Sequence, residues 1–308
     1  MDNRDHLLAI ESLNKELLLL KSSKEFRLGS LYINYLNLLK KGHLCKLYKS
    51  ICGNRIARII QKKYTYPVKE PKQQVNNIDY SSTKIAVYTC ISSNYDNIQE
   101  PLLTFDNVDY IAFVDNPLKT HAKDSHWIYK PIPNSLTKYS NILKNRYIKF
   151  HPKEFLNQYD YSIYVDGNIR IVSDIRPFIQ YCNAFSGLAM HIHGKRDCCY
   201  DEAQVCLLYH RGNPEKIKQQ MQMYHEEKLP QHFGLNEANV IVSDLKNNQS
   251  ETLLDKWWQE FVRSESLRDQ LAWPFVLWKN GLSIEDVGCL GANVYLNSKI
   301  EIKKHQQE

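Results

Sequence analysis

No stretch of this 308-residue chain approaches the roughly 20 apolar residues that a membrane-spanning helix needs, so no span is expected. Its eight cysteines include no CxxC pair, which argues against a zinc ribbon or a thioredoxin-type redox motif. A chain of this length needs no disulfide staples, so the cysteines, Cys90 among them, are read as reduced, small core residues. Neither GxSxG nor HExxH occurs, so a serine-hydrolase elbow and a zincin helix are both missing. With only 11 glycines and 11 prolines, and no internal repeat, the chain is not a collagen-like fibre. The first residues, MDNRDHLLAIESLNKE, are acidic and polar before any apolar cluster, the reverse of a secretory signal, and a cytoplasmic location is expected.

What is present is an ordinary globular composition, 43% hydrophobic and 24% charged, with an uneven charge. The total is +6, yet residues 1–75 hold 15 Lys/Arg against 6 Asp/Glu, and residues 76–308 hold 25 against 28. From Lys21 to Lys63 there are eleven basic residues and one acid, Glu25. Three segments follow: a helical basic region 1–63, a polar, proline-punctuated linker 64–83, and a domain 84–308. In the first, Ile10, Leu13, Leu17 and Leu20 follow helical spacing. After Ser22–Ser23 a second helix sets Ser30, Asn34, Asn37 and Lys41 opposite Leu28, Leu31, Tyr32, Tyr35, Leu38 and Leu39. Apolar faces with interfacial tyrosines and basic flanks suit an anionic membrane surface, at the inner face of the cell membrane. Packing on the main domain or on a second subunit, giving a homo-oligomer, fits the same pattern. Nucleic acid is disfavoured, because no basic strip continues the path.

From Lys84 short apolar, β-branched runs begin: 84–91, 110–114, 161–165, 187–191 and 238–242. Helical patterns lie between and after them, at 139–150, 201–209, 214–226, 252–263 and 267–279. Strands alternating with helices predict an α/β domain with a mostly parallel sheet flanked by helices. Trp257, Trp258, Trp273 and Trp278 sit at helical spacings and read as core.

Parallel sheets place their ligands at the carboxyl ends of strands. The clearest such end is YSIYV followed by Asp166-Gly167-Asn168. Glycine lets the backbone turn close to a ligand, and Asp166 and Asn168 could both offer oxygens to Mn²⁺ or Mg²⁺. From these three residues alone, a plain Asp-Gly-Asn turn is the favoured reading.

Ordered blocks across the domain resemble the TOD/MUCI-type glycosyltransferase-like family: IAVYTCISSNYDNIQEP (85–101), VDYIAFVDNP (108–117), NRYIKFHP (145–152), YDYSIYVDGNIRI (159–171), KRDCCYDEA (195–203), GLNEANVIV (234–242) and RDQLAWPFVLWKNG (268–281). The resemblance covers about two thirds of the chain. It implies a GT-A-like fold, a nucleotide-sugar donor, a glycan or lipid-linked acceptor, and a divalent metal. It sets Asp166 and Asn168 as the counterpart of an Asp-X-Asp metal motif with an amide in its second place. His191, His193 and His232 are further candidate ligands. Thr89, Ser92, Tyr95 and Asp96 fall where a GT-A fold recognises its nucleotide. Arg146 and Lys149, three apart on a helix, could reach a pyrophosphate. Arg196, with Asp197, Asp201 and Glu202, forms a charged group that could orient a sugar. Glu237 and Asp269 are the candidates to face the acceptor or act as base.

The leading expectation is a glycosyltransferase of cell-surface polysaccharide or capsule synthesis. The competing readings are a non-catalytic glycan-binding or scaffold module, and a hydrolase of lipid or glycan using the same acidic cluster.

Overall fold

The computed structural model describes residues 3–40, 61–69, 71–93, 95–117 and 124–305. Two helices open it, α1 (Asn3–Ser22) and α2 (Lys24–Lys40), broken at Ser23. The domain then runs β1 (Ile85–Ile91), β2 (Val108–Val114), β3 (Trp127–Pro131), α3 (Asn141–Phe150), the single turn α4 (Pro152–Phe155), β4 (Tyr161–Val165), β5 (Ile169–Ile171) and β6 (Leu188–Ile192). It continues through α5 (Cys199–Leu208), α6 (Pro214–Glu226), β7 (Asn236–Asp244), α7 (Asn248–Ser264), α8 (Asp269–Lys279), β8 (Gly288–Cys289) and β9 (Ile300–Ile302).

Seven strands form one sheet in the order β3-β2-β1-β4-β7-β6-β8. All lie parallel except β7, which is antiparallel to both β4 and β6. The expectation of an α/β domain with a mostly parallel sheet flanked by helices therefore holds. Strand alternation builds a core on each face. From β1, Ala86, Tyr88 and Cys90 enter the layer with Trp257 and Trp273, while Ile85, Val87 and Ile91 enter the layer with Phe178 and Ile179. Trp257 and Trp273 stack at 4.4 Å, as core tryptophans should. Cys90, Cys182, Cys198, Cys199 and Cys206 are free and buried, and Cys289 is buried as well; Cys45 and Cys52 lie outside the described residues.

β3, β5, β8 and β9 were not legible in the sequence. They are two to five residues long and sit at the sheet edge or in a separate two-stranded pair, β5 with β9, where no strong apolar run is required.

The described residues of 64–83 lack strand or helix but are tied to the domain. Tyr66 N donates to Lys195 O, Asn76 N to Gln180 O, and Ile78 and Tyr80 pack on the core. α1 meets the C-terminal segment through Glu11, which accepts from Lys299 Nζ at 2.7 Å, and Asn14, which donates to Ser298 O. Leu13, Leu17 and Leu20 are 65%, 45% and 56% exposed. On α2, Leu28 and Tyr32 are exposed as well. The side chains of Leu31, Asn34, Tyr35, Asn37, Leu38 and Leu39, and Lys41 with the rest of 41–60, lie outside the described residues. No described helix is long and apolar enough to cross a membrane.

Candidate active site

The parallel strands β1, β4 and β6 end at one edge of the sheet, and the antiparallel β7 begins there. The loops that leave this edge, with α3, α8 and the C-terminal segment, enclose an open cavity of about 1220 Å³. Tyr95, Asp96, Arg146, Lys149, Asp166, Asn168, Arg196, Glu237 and Asp269 all line it. Thr89 does not. Its place in mid-β1 buries the side chain within the sheet, with Oγ1 unpartnered. Asn94 lies outside the described residues. No tryptophan lines the cavity among the described residues.

At the centre is the turn after β4. Asp166 is held to β7 twice: its N–H donates to Asn239 O (3.0 Å), and its Oδ2 accepts from Asn239 Nδ2 (3.1 Å). A Cβ at Gly167 would stand 2.8 Å from Ile91 Cδ1 and 3.3 Å from Asp96 Cβ, so glycine lets this turn press against the loop after β1. Asn168 exchanges hydrogen bonds with the C-terminal segment: Lys303 N donates to Asn168 O (2.8 Å) and Asn168 Nδ2 to Lys303 O (2.9 Å). Asn168 Oδ1 is buried and has no partner. His305 Nε2 lies 3.4 Å from Asn168 Nδ2, and its Nδ1 lies 3.0 Å from both oxygens of Asp96. One carboxylate, one unpartnered amide oxygen and one imidazole thus gather at this turn. These donors fit a hard divalent cation, although no group of three His, Cys, Asp or Glu suited to a metal exists among the described residues. His305 was not anticipated. Its only signal in the sequence is a lone histidine after the alternating KIEIKK.

Beside the turn, α3 presents Arg146 and Lys149 inward on one face; its N-terminus is capped by Ser140, which accepts from Leu143 N. They meet Asp269, the first residue of α8: Oδ2 lies 2.8 Å from Arg146 Nε and 2.7 Å from Lys149 Nζ. Burial alone would raise the Asp269 carboxyl, but the two cations outweigh it and hold it well below the usual carboxylate range. Asp269 Oδ1 accepts from Gln270 N. Asp269, a candidate to face the acceptor, thus lines the cavity with both oxygens engaged, and it holds Arg146 and Lys149.

Glu237 lies across the turn on β7. His193 Nε2 is 3.5 Å from Glu237 Oε1 and 3.6 Å from Glu202 Oε2, while Arg196 Nε is 2.5 Å from Glu202 Oε2. His193 Nδ1 accepts from the backbone N–H of Arg196 (3.1 Å), which leaves the ring proton on Nε2, between the two glutamates. Burial pushes His193 down to about 4, so the ring is neutral. For Glu202, burial is outweighed by Arg196 and the carboxyl stays below its ordinary value. Burial, reinforced by the Glu202 charge, pushes Glu237 up to about 7. One acid here is fixed as an anion, and its neighbour exchanges a proton near neutrality.

The other two histidines take no part. His191 is a core ring against Phe178, bonded to Asn297, and burial pushes it down to about 3. His232 Nδ1 sits 2.6 Å from Asp197, where Tyr66 also bridges Asp197 and Asp201 at 2.9 Å each. Gln61 lines the cavity and accepts from Tyr209 Oη (3.0 Å), and Tyr64 O accepts from Arg196 (3.3 Å). Gln61, just before 64–83, therefore builds part of its wall, and Tyr64 braces Arg196, which lines it.

Residues 63–288 match the family described as TOD1/MUCI70, glycosyltransferase-like domain. No curated protein matches the sequence. Among solved structures, the bifunctional glycosyltransferase WbbM is similar at 11% identity and TM-score 0.43, over 72% of this chain and 41% of that one. Mouse xyloside xylosyltransferase 1 is similar at 8% identity and TM-score 0.40, covering 68% and 84% of the two chains. The mannosyltransferase Ktr4p from S. cerevisiae follows at 11% and TM-score 0.34, covering 73% and 75%. The chain thus spans less than half the length of the first of these.

Proposed function

This chain belongs to the TOD1/MUCI70 glycosyltransferase-like family, and from that membership and the cavity we propose that it moves a sugar from a nucleoside-diphosphate sugar to a hydroxyl of a glycan or lipid-linked acceptor in cell-surface polysaccharide synthesis. The observation that carries this reading is the Asp166-Gly167-Asn168 turn at the centre of the cavity, with a buried, unpartnered Asn168 Oδ1 beside it.

Asp166, Asn168 and His305 are the residues that would hold Mn²⁺ or Mg²⁺. The ion would supply neutralisation of the donor diphosphate and of the departing phosphate. Tyr95 offers a ring for a base to stack on, and Asp96 orients His305 through its Nδ1 proton. Arg146 and Lys149, fixed by Asp269, place positive charge beside the diphosphate. Glu237 binds the acceptor hydroxyl and takes its proton as the acceptor oxygen bonds to the anomeric carbon and the bond from that carbon to the diphosphate breaks. Arg196 keeps Glu202 ionised, which keeps the neighbouring Glu237 basic.

The anionic membrane surface is the proposed partner of residues 1–63, on the cytoplasmic face. It is supported by the exposed Leu13, Leu17 and Leu20 and by eleven basic residues against one acid from Lys21 to Lys63. Self-association through the same leucines is the alternative occupant.

The test is purified full chain with Mn²⁺ against a nucleotide-sugar panel, scored for binding and for release of nucleoside diphosphate. Turnover abolished by Asp166→Ala supports transfer; no binding and no turnover across the panel overturns it. A non-catalytic glycan-binding module is the second reading, favoured by Asn168 standing where a second acid is expected. It requires glycan binding indifferent to nucleotide and metal.

A further inference from the structure

Positive charge is concentrated in the cavity. Eight Lys and Arg residues line it against five Asp and Glu, although residues 76–308 as a whole carry 25 basic and 28 acidic residues. Half of these cations are already matched. Arg146 and Lys149 share Asp269, Arg196 holds Glu202, and Lys303 holds Glu301. Of the other four, Lys304 is exposed on the C-terminal segment, while Lys195, Arg211 and Arg268 have no carboxylate ion pair among the described residues. All three lie on the β6–β7 side of the turn: Lys195 just after β6, Arg211 just after α5, and Arg268 at the start of α8.

Arg268 is the most tightly specified. Its backbone N–H is held by Ser266 Oγ (3.3 Å). Its stem passes Gly212, where φ is +82° and a Cβ would stand 2.8 Å from Arg268 Cγ, so the glycine makes room for it. Its Nε is buried and meets no acceptor. Its hydrogen-bonding neighbour is the thiol of Cys206, which burial keeps neutral. Burial would lower the guanidinium, but its surroundings, Asp269 and Glu202 among them, outweigh this and hold it above its ordinary value. Yet neither acid makes an ion pair with it, since Glu202 pairs with Arg196, and Asp269 with Arg146 and Lys149. A buried guanidinium with a donor left unpaired gains from a ligand that brings an acceptor, most of all an anionic one. Lys195 fits the same picture: desolvation and its neighbours Arg196 and Arg27 hold it below the ordinary amine range, so an arriving anion would strengthen its charge.

We propose that the β6–β7 side of the cavity receives an anionic group, a carboxylate or a phosphate, carried by the transferred sugar or by the acceptor and held by Arg268 with Lys195 and Arg211. The planar guanidinium suits either anion through paired N–H donors. This inference rests on the reading of the cavity as a sugar-transfer site, where the donor diphosphate lies at the Asp166–Asn168 turn and so does not itself satisfy Arg268.

The experiment is calorimetric titration of the full chain with Mn²⁺, using three matched pairs. These are UDP-glucuronic acid against UDP-glucose, trigalacturonate against galactotriose, and glycerol 1-phosphate against glycerol. In at least one pair the anionic member is expected to bind about tenfold tighter or more, the scale of a charge-assisted contact, and the pair that shows it identifies the source. Arg268→Met removes the preference, Arg268→Lys keeps part of it, and UDP itself binds both variants as it binds the wild type. The proposal is overturned if no pair discriminates, if the preference survives in both Arg268→Met and Lys195→Met, or if Arg268→Met weakens UDP as much as the anionic ligand. The last result would make Arg268 a diphosphate ligand. Failure of UDP, GDP and CDP all to bind would count against sugar transfer; a retained charge preference for trigalacturonate or glycerol 1-phosphate would still support the anion subsite.

Discussion

His305 Nδ1 lies 3.0 Å from each carboxylate oxygen of Asp96, across 209 residues of sequence. The contact joins the C-terminal segment to the loop after β1, on either side of the Asp166–Asn168 turn. It also sets the imidazole: with Nδ1–H given to Asp96, Nε2 keeps its lone pair toward Asn168. A ligand residue oriented by a carboxylate behind it is a common arrangement at metal sites.

His305→Ala is expected to weaken Mn²⁺-dependent nucleotide binding by about 10- to 100-fold, and Asp96→Asn by less, since it loosens the ring without removing it. Titration of Mn²⁺ at fixed nucleotide measures both. Identical Mn²⁺ curves for wild type and His305→Ala would remove His305 from the site.

Glu237, pushed up to about 7 by burial and by Glu202, predicts activity that rises with pH through about 7 as the carboxylate forms. Glu237→Gln should lose that limb and about 10²- to 10⁴-fold in turnover. Stability runs the other way. Because the folded-state value lies above the ordinary 4.5, the contribution is complete below about pH 4.5 and is lost as pH rises through about 7. Glu237→Gln should therefore be more stable than wild type at pH 8, by up to about 3 kcal/mol. Urea unfolding at pH 4 and pH 8 reads this directly.

Asp269→Ala leaves Arg146 and Lys149 buried without their shared anion, at a cost of about 3–5 kcal/mol. The Asp269 carboxyl is lowered in the fold, so its contribution is present above the ordinary 3.8 and is lost as pH falls below that. The gap between wild type and variant should be full at pH 7 and narrow toward pH 3. An undiminished gap at pH 3 would mean that the loss comes from packing.

Leu13→Ser, Leu17→Ser and Leu20→Ser combined should reduce co-sedimentation with anionic vesicles several-fold, because the exposed apolar stripe is removed while the basic residues remain. Each exposed substitution should change stability by about 0.5 kcal/mol or less, so the melting curve is the control. Unchanged sedimentation would assign the stripe to self-association, which ultracentrifugation of the same variant would reveal.

The buried strands were legible because both faces of a parallel sheet are covered, so their residues must be apolar whatever surrounds them. Ile85–Ile91 and Tyr161–Val165 are such runs, and the polar residues that end them were the natural place to look for chemistry. The edge pair β5–β9 carried no such requirement, and with it went His305 and the wall that Lys303 adds to the cavity. Thr89 shows the converse: one residue's difference along a strand moves a side chain from the cavity into the sheet.

The sequence by itself determined the α/β alternation, the central Asp166-Gly167-Asn168 turn and the separation of a basic start from a nearly neutral domain, because hydrophobic period, turn chemistry and charge are local properties. Only the tertiary structure decided what each polar residue does. Asp269 is paired because α3 brings two cations onto it, and Glu237 is pushed up to about 7 because burial and Glu202 meet there. Protonation and hydrogen bonding depend on neighbours within a few ångströms, and those neighbours come from distant parts of the chain.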